Sequence, residues 1–133
     1  MTLEDLAFQL NTYTSESGTT FDALVGEDRI LEVTCSNNDE FPINVTATDT
    51  QLLAVTPLFH VNEVVSGGVE ALHEMLLRLS PAVPLSSIGL QGDTYILFGA
   101  MAKETLFENI AHELEVQAEN TIDVLEVVED FLN

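Results

Sequence analysis

The sequence predicts an α+β domain: a five-stranded antiparallel sheet with helices mainly on one face, in the order α-βββ-α-ββ-α. Three observations carry this reading. Apolar residues alternate at period two through three consecutive segments joined by short polar turns, the pattern of a meander. The period lengthens to three and four at Ser66 and again near Lys103, which marks amphipathic helices. The 133 residues suffice for one hydrophobic core, so residues 1–133 are read as a single domain.

The first helix opens at Thr2, an N-cap with Asp5 three residues on, and Leu3, Leu6 and Leu10 recur at helical spacing as far as Tyr13. "TSESGTTFDALVGED" then reads as a polar loop in which Phe21, Leu24 and Val25 fold back as an anchor or a short extra element. "RILEVTC" places Leu31, Val33 and Cys35 on one face of a strand. "SNNDE" is a turn, because Asn and Asp tolerate left-handed backbone and bond their own chain. "FPINVTAT" and "QLLAVTPLFH" continue the alternation, with Pro57 best tolerated near a strand end or at an edge.

At Ser66, read as a cap, a helix begins whose stripe is Val69, Leu72, Met75, Leu76 and Leu79; Pro81 stops it. Turn chemistry at "QGD" joins "LSSIGL" and "TYILFGAM" as a hairpin. In the last helix Phe107, Ile110, Leu114, Ala118, Thr121, Leu125, Val128 and Leu132 step by three and four, the spacing of a seam. Asn120 and Asp123 could cap a fresh helix there, but the reading is one continuous or kinked helix.

Composition sets the style of interaction. Three basic residues face twenty-three acids, a formal charge of −20, while a hydrophobic fraction of 46% argues against disorder. Such a surface repels nucleic acid and anionic lipid, and favours a basic protein partner. Cys35 is the only cysteine, which excludes an internal disulfide and a thiolate metal cluster and fits a reducing compartment. The first residues are acidic where a secretory leader is basic, and no apolar run reaches the roughly eighteen residues of a membrane span. A cytoplasmic location is expected.

Chemistry is sparsely represented. His60, His73 and His112 are not paired at metal-binding spacing, and His112-Glu113 is followed by "LEV" rather than a second histidine in register. Cys35 shares a strand face with Leu31 and Val33, so it reads as core. "SNNDEF" and "VGEDRI" lack the alternation of a calcium loop, and Gly67-Gly68 reads as a flexible helix start. No catalytic, cofactor or metal residues are assigned. The alternative reading is a carboxylate-based, metal-dependent hydrolase.

The candidate site is the last helix. A helix lying on a sheet buries an apolar stripe somewhat over 100° wide. A second apolar group falls partly outside that stripe, and Val116, Ile122, Val124, Val127 and Phe131 are taken from it as partner-binding residues. Left bare it would exceed the usual apolar patch of a monomer, so a homodimer that tightens with ionic strength is also expected.

In size, charge and order of elements the whole chain resembles type III secretion chaperones and the YbjN-like proteins. "MTLEDLAFQLN" and the stretch from "SPAVPLSSIGL" to "YILFGAM" look like the YjfI-like family of uncharacterised bacterial proteins. The genes of that family tend to lie beside one for a phage-shock-protein-A-like coiled-coil protein. The resemblance implies a non-enzymatic binding or adaptor role, chaperone-like or stress-linked, with a basic or coiled-coil partner. It supplies no binding residues.

Overall fold

In the structure, a computed structural model that describes residues 1–133, the elements run α1 (Leu3–Asn11), β1 (Phe21–Val25), β2 (Leu31–Cys35), β3 (Asn38–Ala47), β4 (Gln51–His60), α2 (Val69–Leu79), β5 (Ser87–Gln91), β6 (Thr94–Ala102) and α3 (Phe107–Val128). All strand pairs are antiparallel, in the spatial order β1-β2-β3-β4-β6-β5. The sheet therefore has six strands, not five, and the order is α-ββββ-α-ββ-α.

The additional strand is the Phe21–Val25 segment. Phe21 and Ala23 bury on the helix side of β1, whereas Leu24 points out. Its free edge is closed by one side chain: Asn11 donates Nδ2–H to the Ala23 carbonyl (2.9 Å) and accepts the Ala23 N–H (2.8 Å). A carboxamide thus substitutes for a further strand, a local event with no periodic signature.

Several boundaries also shift. The second turn contracts to Ser36-Asn37, and "NDE" becomes the start of β3, with a register shift between Val33 and Cys35 of β2. Gly68, not Ser66, caps α2. The last helix starts at Phe107 rather than near Lys103. Pro57 stands in a central strand, beyond the last β3 partner at Val55 and at a register shift, so little of the ladder needs its missing N–H. The capping box of α1 forms as expected, with Thr2 Oγ1 accepting the Asp5 N–H and Asp5 Oδ2 accepting the Thr2 N–H, both at 3.0 Å. The β5–β6 hairpin turns at Gly92, whose φ of +59° suits glycine.

All three helices share one face of the sheet. Leu3, Leu6 and Leu10 of α1 join Ile110, Ala111, Leu114 and Ala118 of α3 over β1–β4. A second cluster forms where Leu72 and Leu76 of α2 meet Val124 and Val128 of α3 over Tyr95 and Leu97 of β6. Between the two lies a buried polar belt on α3: Glu115, Gln117, Asn120 and Thr121. Gln117 donates to Thr56 Oγ1 (2.9 Å) and reaches the carbonyls of Ala54 (3.3 Å) and Leu97 (3.4 Å). Asn120 donates to the Pro84 carbonyl (2.7 Å) and to Ser86 Oγ (3.2 Å). That explains why Asn120 does not break α3, which runs unbroken for 22 residues: its polar side chain is satisfied by the loop after α2 rather than by its own backbone.

Replacing Gln117 with Leu keeps the bulk but leaves the Thr56 hydroxyl without its buried partner. Urea denaturation should show a loss of about 1–3 kcal/mol, against less than about 0.5 kcal/mol for the exposed Glu119→Gln. Equal stability of the two variants would contradict the role given to Gln117.

Candidate functional site

The chemically reactive side chains do not converge. His60 Nδ1 accepts the Asn62 N–H (3.2 Å), His73 Nε2 meets the Tyr95 hydroxyl at 2.7 Å, and His112 is exposed on α3. No group of three or more His, Cys, Asp or Glu side chains is arranged to hold a metal ion. Cys35 is buried as expected, facing the Leu114 carbonyl. Burial pushes its thiol up to about 12, and the negative charge of Glu115 adds to the shift.

The surface features are more informative. The β2–β3 turn is clamped onto α3 by two asparagines, Asn37 Nδ2 donating to the Glu115 carbonyl (3.0 Å) and Asn38 Nδ2 to the Ala118 carbonyl (3.1 Å). Beyond this clamp the turn and the C-terminal half of α3 diverge and leave an open groove of about 580 Å³. Its apolar lining is Phe41, Ile122, Leu125 and Leu132; its acids are Asp39, Glu40, Glu126 and Glu129. No basic side chain lines it. Two of the three in the chain are engaged elsewhere, Arg29 with Glu4 and Arg78 with Glu74 at 2.9 Å. Asn37 Oδ1, on a residue lining the groove, is a buried acceptor without a partner.

The five residues expected to bind a partner divide. Ile122 is exposed and lines the groove. Val127 is exposed on another side of α3, at a small cleft beside Val83 and Pro84. Val116, three helical turns before Val127, is half-buried. Val124 is 1% exposed and belongs to the chain's own core. Phe131 is held by the tail: its carbonyl accepts the Val65 N–H at 2.7 Å, and its ring packs on the second cluster. The five therefore do not form one patch, because α2 and the returning tail cover sides of α3 that a single sheet would leave bare. The opposite wall, Asn37 to Phe41, was missed. Its signal was the pair of acids in "SNNDEF" immediately before Phe41, which turn chemistry alone does not require.

The antiparallel sheet under three helices is similar in fold to type III secretion chaperones, and two solved structures match it along nearly the whole chain. One is the HopA1–SchA chaperone–effector complex, with a TM-score of 0.61 at 14% identity over 93% of this chain and 90% of that one. The other is the heterodimeric ExoU–SpcU complex of the type III secretion system of Pseudomonas aeruginosa, with a TM-score of 0.56 at 12% identity over 92% and 93%. Within that fold the chain belongs to the family described as "Uncharacterized protein conserved in bacteria (DUF2170)", which matches residues 1–132. It is similar to the protein YjfI of Escherichia coli K12, 25% identical over 112 residues that cover 81% of this chain and 83% of that protein. The match to YjfI of Escherichia coli O157:H7 has the same values. No helix is long and apolar enough to cross a membrane.

The thiol offers a direct check on the packing beneath this surface. Iodoacetamide at pH 8 should leave Cys35 unmodified in the folded protein and alkylate it readily in denaturant. Because the unfolded thiol ionises near 9 and the folded one at about 12, Cys35 costs no stability below pH 9 and lowers it progressively between those values. Rapid alkylation of the folded chain would show that β2 and α3 are not packed as described.

Proposed function

We propose that this chain is a non-enzymatic, chaperone-like binding protein of the bacterial cytoplasm, which holds a basic, amphipathic segment of another protein in the groove between α3 and the start of β3. The observation that carries the reading is the union of an apolar floor with four rim carboxylates and no balancing cation. An apolar floor contributes affinity by desolvation, and the rim sets which sign of charge can approach. Lys or Arg side chains lie their methylene stems along Phe41 and Leu125 while presenting charge to the carboxylates. A coiled-coil partner with basic residues on its outer face meets the same requirement. The chaperone–effector complex among the fold relatives supports a protein rather than a small molecule as the occupant. Self-association belongs to the same reading, although two of the α3 residues expected to drive it, Val124 and Phe131, are taken up by the chain's own core.

Fluorescence anisotropy with a labelled Leu/Lys amphipathic model peptide tests the groove. Binding should weaken as salt rises, since attraction between exposed charges is screened beyond about 10 Å at 0.1 M. Ile122→Lys should reduce affinity by about tenfold or more by adding charge to the floor, and a Leu/Glu peptide should not bind. Unchanged affinity in Ile122→Lys, or equal binding of the Leu/Glu peptide, would overturn the assignment.

A further inference from the structure

A cavity of about 340 Å³ opens at the end of the sheet where α1 begins. The first turn of α1, the β1–β2 turn, the facing ends of β3 and β4 and the segment after β6 converge on it. It is remote from the acidic groove: Ala47, at the close of β3, lies about 20 Å along an extended strand from Phe41. The floor is apolar. Leu3, Leu6 and Leu52 belong to the first core cluster, and Ala47 pairs with Leu52 in the ladder but remains exposed.

The charge of this cavity reverses that of the groove. Arg29 and Lys103, two of the three basic side chains in the chain, line it, and no carboxylate does. Arg29 is fixed in place. Its backbone takes φ +62°, a left-handed conformation uncommon for a residue with a side chain. Its guanidinium forks onto Glu4 of α1, with Nη2 donating to Oε1 at 3.1 Å. That fork uses two of its five N–H groups and leaves others for a second acceptor. Lys103 is exposed and forms no ion pair. The acids of the first turn are committed, Glu4 to Arg29 and Asp5 to the Thr2 N–H, and Glu104 lies outside the lining.

We infer that this cavity binds a free aliphatic carboxylate, its hydrocarbon tail on Leu3, Leu6 and Leu52 and its head group held by Lys103 and Arg29. The volume lies in the range of small-ligand sites, and the lining has their character: mainly apolar, with a few polar groups that fix orientation. Desolvation of the tail supplies affinity, and charge-assisted hydrogen bonds from the two cations select the carboxylate over a neutral head group. The formal charge of −20 opposes the approach of any anion from afar. Occupancy therefore requires the tail, and a carboxylate without one is not retained.

Isothermal titration calorimetry of the full chain with sodium octanoate, below the concentration at which it forms micelles, is the test. One octanoate should bind per chain, acetate should give no binding heat, and 1-octanol should bind at least about tenfold more weakly. Lys103→Gln removes an exposed charge and should weaken octanoate by about tenfold or more with its circular dichroism retained. Ala47→Phe, which fills the cavity with a ring, should abolish binding. Arg78→Gln removes the same charge from α2 and should bind as the wild type does. Absence of octanoate binding by the wild type would overturn the inference, as would unchanged affinity in folded Lys103→Gln or Ala47→Phe. Octanol bound as tightly as octanoate, or an equal loss in Arg78→Gln, would show that the two cations do not select the head group and would overturn it as well.

Discussion

The hydrogen bonds of Gln117 fix how the long helix lies on the sheet, and most other features follow from that placement. A helix of 22 residues is about 33 Å long, and α3 therefore meets more than one part of the sheet and its companion helices. Its first half closes over α1 and β1–β4, and its second half over α2 and β6. Gln117 lies near the crossover and engages Thr56 on β4 and the Leu97 carbonyl on β6. Gly99 permits the close approach, since a Cβ there would stand 3.4 Å from Gln117 Oε1 and 3.1 Å from the Leu85 carbonyl. An apolar residue at 117 would pack, but would not select this one rotation and register.

The same placement creates the groove. With the centre of α3 pinned and the β2–β3 turn clamped by Asn37 and Asn38, the last turns of the helix depart from the start of β3. The space between them is lined by residues of both elements, which explains why neither wall is recognisable by itself. Electrostatics then give the groove its sign. Arg29 holds Glu4 far below its ordinary value, at about 2, and Arg78 stays on its own helix. The groove acids retain no internal partner and are available to a cation from outside.

Much of the architecture was legible in the sequence because it depends on periodicity. The Thr2–Asp5 capping box, the alternating strands, the Gly92 turn and the seam of α3 each have a local pattern with a single cheap solution. What escaped depends on pairs distant in the chain. β1 becomes a strand because it pairs along its length with β2 while Asn11 closes its outer edge at Ala23, and Val124 becomes core because α2 packs beside it. Phe131 is occupied because the tail returns to Val65. Of the candidate site, Ile122 was legible as an apolar residue outside the seam. Phe41 and its flanking acids were not, since a strand start and a helix end sharing one groove leave no common spacing.

In the proposed function, the groove between α3 and the start of β3 receives a basic segment. Amide chemical-shift mapping of the isotope-labelled protein, titrated with the Leu/Lys model peptide, tests it most directly. Saturable shifts are expected from Asn37 to Phe41 and from Ile122 to Leu132, with β1 and α1 unmoved. Shifts scattered evenly over the acidic surface would show that charge alone attracts the peptide, and shifts centred on another element would place its binding elsewhere; either would contradict the groove's assignment.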